Sequence, residues 1–402
     1  MQIALLGNMN NNNNVLTRYL IDKGYDAKLL LYRHELKHFL PETDQFDNRH
    51  LQYTKYLSWG KYEDLFLRSS ASIDKELESF DFFIGARLAP AFFAKIKRPL
   101  DLFIPTGGDL CSLPFFSGLR PKRVLQFLLA APLQRKGIGS ASSMLFGLTN
   151  PAVEKKIHSL KLPPDRIISG IPALYLPNYD IETMQKYQDI SAYASRFRTL
   201  RNTYDFFVFH HIRHVWKTQS VTQLGEFHEK SNDALLRAFS RFLKEAPAAS
   251  ACLVLFEYGP DVEDSKALCA ALGILGSVFW FPLMPRKELM YGLSMADVMV
   301  GELKNSWLSY GSIDEAMAVK VPIIHHRVDS LYDQHSELYP MLNGHDEVSV
   351  FNGLMQVYQD RDKAKKMGLD AHHWFKREAI DKPINAICSR IDSKAHLASK
   401  SS

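Results

Sequence analysis

Only four of the 402 residues are cysteine, Cys111, Cys252, Cys269 and Cys388, and none forms a short Cys-x-x-Cys pair. That scarcity excludes a zinc knuckle and a disulfide framework, and it points to the cytoplasm. No window reaches the roughly 18 uninterrupted apolar residues a bilayer span requires, so the expected protein is soluble or peripherally attached. Charge of one sign is also missing: 49 Lys+Arg stand against 44 Asp+Glu, a net +5. That excess suits phosphate or anionic lipid but does not argue for nucleic acid, and no nucleic-acid motif accompanies it. Neither a Walker lysine loop nor a Gly-x-Gly-x-x-Gly fingerprint is present. No repeat of solenoid length is apparent. Asp360-Arg361-Asp362 has the spelling of a metal-binding Asp-x-Asp but follows a helical pattern rather than a strand, so it reads as a solvated turn and no metal is expected. Met1–Gly7 lacks a basic leader and reads as a first strand.

What the chain does have is a 46% hydrophobic content over a length sufficient for two domains. Strand, asparagine-rich loop, helix and strand follow one another through Met1–Tyr32, a βαβ opening. Its loop, Asn8 to Asn14, lies at a strand's carboxyl end, where ligands of such sheets collect. Asn8 and Asn11 are therefore candidates for sugar hydroxyls, with a plain turn as the alternative. Leu102–Pro105 runs into Thr106-Gly107-Gly108-Asp109. Gly107 and Gly108 permit close backbone approach, and Asp109 is either a ligand contact or a helix cap. The basic-flanked apolar run Arg120–Lys136 reads first as a core helix with solvated ends and second as a peripheral membrane contact. The polar stretch Asp180–Asn202 is the expected linker. Beyond it, Tyr204–Phe209 is a strand ending in the cationic loop His210–Lys217, with a helix following Glu229-Lys230. The stretch Gly311–Ile324 is loop, helix and strand: Ser312 and Glu315 have capping-box spacing, and a helix start behind small residues offers unpaired amides to a diphosphate. The expected domains are 1–195, 196–375 and a returning C-terminal segment, 376–402.

Two of these segments carry a family resemblance. Glu315-Ala316-Met317-Ala318 followed by Pro322-Ile323-Ile324 resembles the donor-site signature of retaining glycosyltransferases of the GT-B fold, and Arg213 and Lys230 match the arginine and lysine that hold the donor diphosphate in that family. The resemblance implies an α/β protein of two Rossmann-like domains facing across a cleft, with the last helix returning to the first domain. It implies transfer of a hexose-type sugar from a nucleotide-diphosphate sugar to a saccharide or lipid-linked acceptor in surface polysaccharide synthesis, with retention and without metal or other cofactor. In that scheme Arg213, Lys230 and the Ser309, Tyr310, Gly311 and Ser312 segment meet the diphosphate, His211 shares the task, and Glu315 holds the ribose. Trp307 stands where the family has a second glutamate, which leaves Glu302 as the nearest carboxylate to the sugar. Thr106 occupies a position where relatives often carry histidine. An epimerase or hydrolase on the same frame, or a binding protein without turnover, are the alternatives.

Overall fold

The computed structural model describes residues 1–115, 124, 128–147, 160, 163–187, 193–218 and 229–401. Parts of three expected features lie outside them: 120–123 and 125–127 of the basic-flanked run, 188–192 of the linker, and 219–228 between Arg213 and Lys230. The chain divides into two compact units, Met1–Tyr175 with Arg377–Ser402, and Leu176–Lys376.

The first unit is built on seven strands: β1 (Gln2–Leu6), β2 (Asp26–Leu31), β3 (Thr54–Tyr56), β4 (Phe82–Ala86), β5 (Leu102–Ile104), β6 (Ser143–Phe146) and β7 (Ile167–Ser169). They pair in parallel in the order 3-2-1-4-5-6-7. Strands covered on both faces read as continuous apolar runs, and Phe82–Ala86 is buried at every position. The order reverses beside β1, so the loops after β1 and β4 meet at a switch point. Helix α1 (Asn12–Asp22) follows β1 through Asn10 and Asn11 at φ 55° and 61°, left-handed conformations that asparagine tolerates.

Helices α2 (Ala89–Ile96) and α3 (Ala131–Ser140) cross where Gly137 lies against the backbone of Pro90. A Cβ at 137 would stand 1.9 Å from the Pro90 carbonyl oxygen. Gly137→Ala is therefore expected to destabilise the first unit by about 1–3 kcal/mol, read from its denaturation midpoint. The C-terminal helix Lys382–Ser401 belongs to this unit, as expected. Lys394 Nζ lies 2.7 and 2.8 Å from the two Asp101 oxygens, and Tyr25 donates its hydroxyl to Asp392 at 2.9 Å.

The second unit repeats the plan with β8 (Phe206–Phe209), β9 (Ala251–Phe256), β10 (Val278–Phe281), β11 (Val298–Val300), β12 (Ile323–His325) and β13 (Leu342–Asn343), in the order 10-9-8-11-12-13. Its helices include α4 (Ala194–Thr203), α5 (Asn232–Glu245), α6 (Arg286–Leu293), α7 (Gly311–Ala318), α8 (Glu347–Gln359) and α9 (Arg361–Phe375). Along α5, Leu235, Leu236, Phe239 and Phe242 recur on one face and are fully buried in a core shared with Val350, Leu354 and Val357 of α8. Each such side chain contributes about 1.5–3 kcal/mol by leaving water.

The first junction falls between Tyr175 and Leu176, earlier than the expected 195/196. The reason is α4: Phe197 stacks on Phe281 with centroids 4.4 Å apart, which ties the segment before β8 to the second unit. Asp360 accepts from the Lys363 amide at 3.0 Å and so caps α9. No helix among the described residues is long and apolar enough to cross a membrane.

Candidate functional site

The carboxyl ends of β8 and β11 assemble most of the charged residues singled out in the sequence. His210, the first residue after β8, donates from Nδ1 to the Val300 carbonyl at 2.8 Å and accepts at Nε2 from Asn232 at 3.0 Å. Burial drives its pKa down to about 3, with the neighbouring His214 adding to the effect, so it is neutral and frames the loop. His214 bonds to Ser265 at 2.8 Å, and burial takes it to about 4. Asp261 then accepts from the successive amides of Trp216, Lys217 and Thr218. With the loop fixed on both sides, Arg213 is left exposed, its guanidinium carbon 5.8 Å from the Tyr258 ring centroid, with no carboxylate partner among the described residues.

Helix α7 begins where the small-residue loop predicts, but the capping box does not form. Tyr310 is the N-cap in extended conformation, Ser312 lies inside the helix, and its buried hydroxyl has no partner. The Glu315 carboxylate instead meets His211 Nε2 at 2.7 Å and Arg286 Nε at 3.1 Å. Two cationic or polarised side chains are better partners than one backbone amide, so the carboxylate turns to them. Burial pushes the Glu315 pKa up, but the His211 bond and charge, together with Arg286, outweigh it and leave it below the usual range. Its neighbour Asp314 goes the other way. Burial lifts it to about 8 against the opposing bond from the Ser309 hydroxyl, 3.1 and 3.2 Å from the two oxygens. At neutral pH α7 thus carries a neutral carboxyl, Asp314, in its first turn and an ionised carboxylate, Glu315, just beyond it. The amides of Ile313 and Asp314 both reach the Tyr310 carbonyl, whereas those of Gly311 and Ser312 find no acceptor among the described residues. Open amides at a helix N-terminus are an anion site in waiting.

Lys230 and Glu302 form a buried pair, Nζ to Oε2 at 2.6 Å, and Asn305 donates to the other Glu302 oxygen at 2.6 Å. Glu302 is therefore engaged with Lys230 rather than open to a sugar, a correction to its expected role. The reason is burial, since an enclosed carboxylate needs a cation close by. Lys230 Nζ also lies 5.0 Å from the Tyr310 ring centroid. The Tyr310 phenol is raised first by burial, then by Glu302, Tyr258 and Glu315, and lowered by Arg213. Trp307 packs against the same ring, with centroids 5.4 Å apart. Arg213, Lys230, His211, Glu302, Ser309, Tyr310, Gly311, Ser312 and Glu315 accordingly share one strand-end cluster. Arg286 and Asp314 were not anticipated. The signal for Arg286 was present, because a cation opening a helix opposes the helix dipole and calls for a reason.

In the first unit the candidates serve the backbone. Asn8 is fully buried, donating to Asn11 and to the Phe39 carbonyl and accepting from the Asn14 amide. Asn11 donates to Thr43 at 3.1 Å. Both side chains are occupied, by each other and by the loop that carries Phe39 and Thr43, so the expected sugar contacts are not open to a ligand. The helix cap anticipated as the alternative for Asp109 does not form, because Gly107 is the N-cap and Asp109 lies inside the short helix; its carboxylate instead accepts from the Thr106 amide and hydroxyl and from the Arg87 amide, and burial raises it to about 6. Gly107 adopts φ 114°, which only glycine takes without strain, and neither Gly107 nor Gly108 has an atom within 4 Å of where a Cβ would be.

No family model matches the chain, and no curated protein matches its sequence. Solved structures do match. HepE of Anabaena in complex with UDP superposes with a TM-score of 0.62 at 13% identity, covering 98% of this chain and 100% of that one. A glycosyltransferase from Rickettsia africae gives 0.60 at 11%, covering 98% of each chain. The chain has the GT-B fold. That fold is not restricted to transfer: UDP-GlcNAc 2-epimerase from Neisseria meningitidis, bound to UDP-GlcNAc, matches at 0.58 and 12% over 98% of this chain and 100% of its own.

Proposed function

We propose that the protein is a glycosyltransferase that moves a hexose-type sugar from a nucleoside-diphosphate donor to a saccharide or lipid-linked acceptor, in the making of a surface polysaccharide and with retention at the anomeric carbon. One observation carries the reading: an exposed arginine with no carboxylate partner among the described residues shares a strand-end cluster with a helix N-terminus at which, among those same residues, two amides and a buried hydroxyl have no partner. A departing nucleoside diphosphate gathers negative charge, and fixed cations and oriented amides stabilise it where it forms. Arg213 and the Gly311 and Ser312 amides take the phosphates in this reading. Lys230 adds a charge that Glu302 partly offsets. Glu315 already accepts from His211 and Arg286, yet a carboxylate has about four lone-pair sites, so room remains for ribose hydroxyls. If the leaving phosphate takes the acceptor proton on the front face, neither a protein base nor a metal is required by the chemistry.

Arg213→Ala is expected to raise the dissociation constant for the donor nucleotide about tenfold or more, as loss of a charge-assisted bond implies, while the melting temperature stays put because the side chain is exposed. Calorimetric titration checks this, and an unchanged constant removes the assignment. Thermal-shift comparison of uridine, guanosine and adenosine diphosphates selects the base, since a ligand of the native state raises the melting point.

A second reading, nucleotide-sugar epimerisation or hydrolysis, is favoured by the 2.7 Å His211–Glu315 couple, a proton-handling pair beside the same cluster. Incubation with radiolabelled sugar nucleotide separates the two. Free epimer or sugar formed without acceptor rejects transfer.

A further inference from the structure

The loop after β11 places an aromatic pair in the strand-end cluster of the second unit. Trp307 and Tyr310 are both half-buried, their ring centroids 5.4 Å apart at an angle of 37°. Their loop is held at both ends. The Trp307 amide donates at 3.3 Å to the carbonyl of His326, just past β12, and the Tyr310 carbonyl accepts from the first turn of α7. Lys230 Nζ stands 5.0 Å from the Tyr310 centroid, so the pair adjoins the cations and amides assigned to the diphosphate.

The sheet order says which end of a donor would meet these rings. Glu315, assigned to the ribose, pairs with Arg286 at the start of α6, the helix that follows β10. In the sheet, β10 and β12 lie on opposite sides of β8. A diphosphate at the α7 terminus whose nucleoside points to Arg286 therefore points its sugar to the β12 side, where Trp307 and Tyr310 stand.

That side is poor in uncommitted carboxylate. Among the described residues, Glu302 is bound by Lys230 and Asn305, Asp314 takes the Ser309 hydroxyl, and Glu229 pairs with Lys304 at 3.4 Å. Two neutral groups remain. One is the Tyr310 hydroxyl, which has no hydrogen-bond partner among the described residues and which burial keeps protonated. The other is the His326 imidazole, held below its usual value by burial. A sugar hydroxyl turned onto an aromatic ring gives up its water and gains no acceptor, whereas a methyl or ring C–H group placed there gains contact.

We propose that the donor sugar is a 6-deoxyhexose, held with its apolar side against Trp307 and Tyr310. This deepens the transferase reading and rests on it for the placing of the diphosphate. In such a sugar C6 is a methyl group, which joins the C–H groups of one ring face into a single apolar surface. The Tyr310 hydroxyl meets one of the remaining hydroxyls at the edge of that surface. The preference is bounded, because an apolar surface disfavours an added hydroxyl by no more than about a hundredfold. A 6-hydroxy sugar is thus a weaker ligand and not an excluded one.

The test is calorimetric titration of the full chain. The ligands are uridine, guanosine and thymidine diphosphates, bare or carrying glucose, galactose or mannose, each sugar matched with its 6-deoxy counterpart. With the nucleotide that binds, at least one 6-deoxy sugar is expected to bind about tenfold tighter than its 6-hydroxy match. Trp307→Ala is expected to bring that ratio within about twofold of unity, and Trp307→Phe, which keeps a ring, to retain most of it. Reading the ratio within each protein cancels any general loss of affinity. A wild-type protein that binds every matched pair equally overturns the proposal whether or not the variants fold, and so does a preference that survives in Trp307→Ala. Bare diphosphates that bind while the sugars show no preference leave the donor reading standing and overturn this proposal alone. Failure of all three diphosphates to bind overturns both.

Discussion

Asp314→Asn is expected to stabilise the protein at pH 7 by as much as about 4 kcal/mol. The carboxyl is buried in the first turn of α7 and titrates at about 8 in the fold, against a model-peptide value of 3.8. Between those values the unfolded chain has released the proton and the folded chain has kept it. Stability therefore falls as pH rises from about 4 to about 8, by about 1.36 kcal/mol per pH unit, and the penalty is constant above the upper limit. Asparagine has nothing to ionise in either state, so the advantage should shrink as pH falls and vanish below about 4. Urea midpoints of both proteins at pH 4 and pH 7 decide the matter. An advantage that does not grow with pH would mean that the folded carboxyl is ionised at pH 7. In the proposed donor reading, a protonated Asp314 leaves the α7 terminus positive, whereas an ionised one would set a second negative charge against a diphosphate bound there.

Lys230→Ala is expected to cost about 3–5 kcal/mol, because it strands Glu302, whose side chain is wholly buried, with only Asn305 as a partner. Much of that cost is expected to return in the double variant Lys230→Met with Glu302→Gln, which removes both charges and keeps their volume. Denaturant midpoints of the single and double variants measure it, and a single variant as stable as wild type would show the pair to be solvated. In the proposed donor reading, lost activity in Lys230→Ala would therefore mix misfolding with a lost phosphate contact, which makes Arg213 the cleaner probe.

The parallel strands were legible because burial on both faces leaves an unmistakable apolar run, as in Phe206–Phe209 and Ala251–Phe256. Thr54–Tyr56, Ser143–Phe146 and Leu342–Asn343 escaped notice: all are short, and two are edge strands with too few apolar residues to form a pattern. The helix start at Gly311 was legible from its small residues and loop, but the partner of Glu315 was not. Spacing along one helix favoured Ser312, and His211 arrives from a strand end more than a hundred residues away. Asn8 and Asn11 looked available for the same reason, since Phe39 and Thr43, which occupy them, lie on a distant loop. Sequence reports which groups can bond; only the fold reports which are already taken.

The first unit is assembled from both ends of the chain, with Lys394 closing on Asp101, whereas the second is one uninterrupted stretch. During synthesis the second unit is complete before residues 377–401 exist, so it can acquire its structure while the first still lacks the helix that covers Asp101. Biogenesis thus runs against the usual order, the earlier-made half waiting for the later one, and the interval is when a chaperone would find an unfinished sheet.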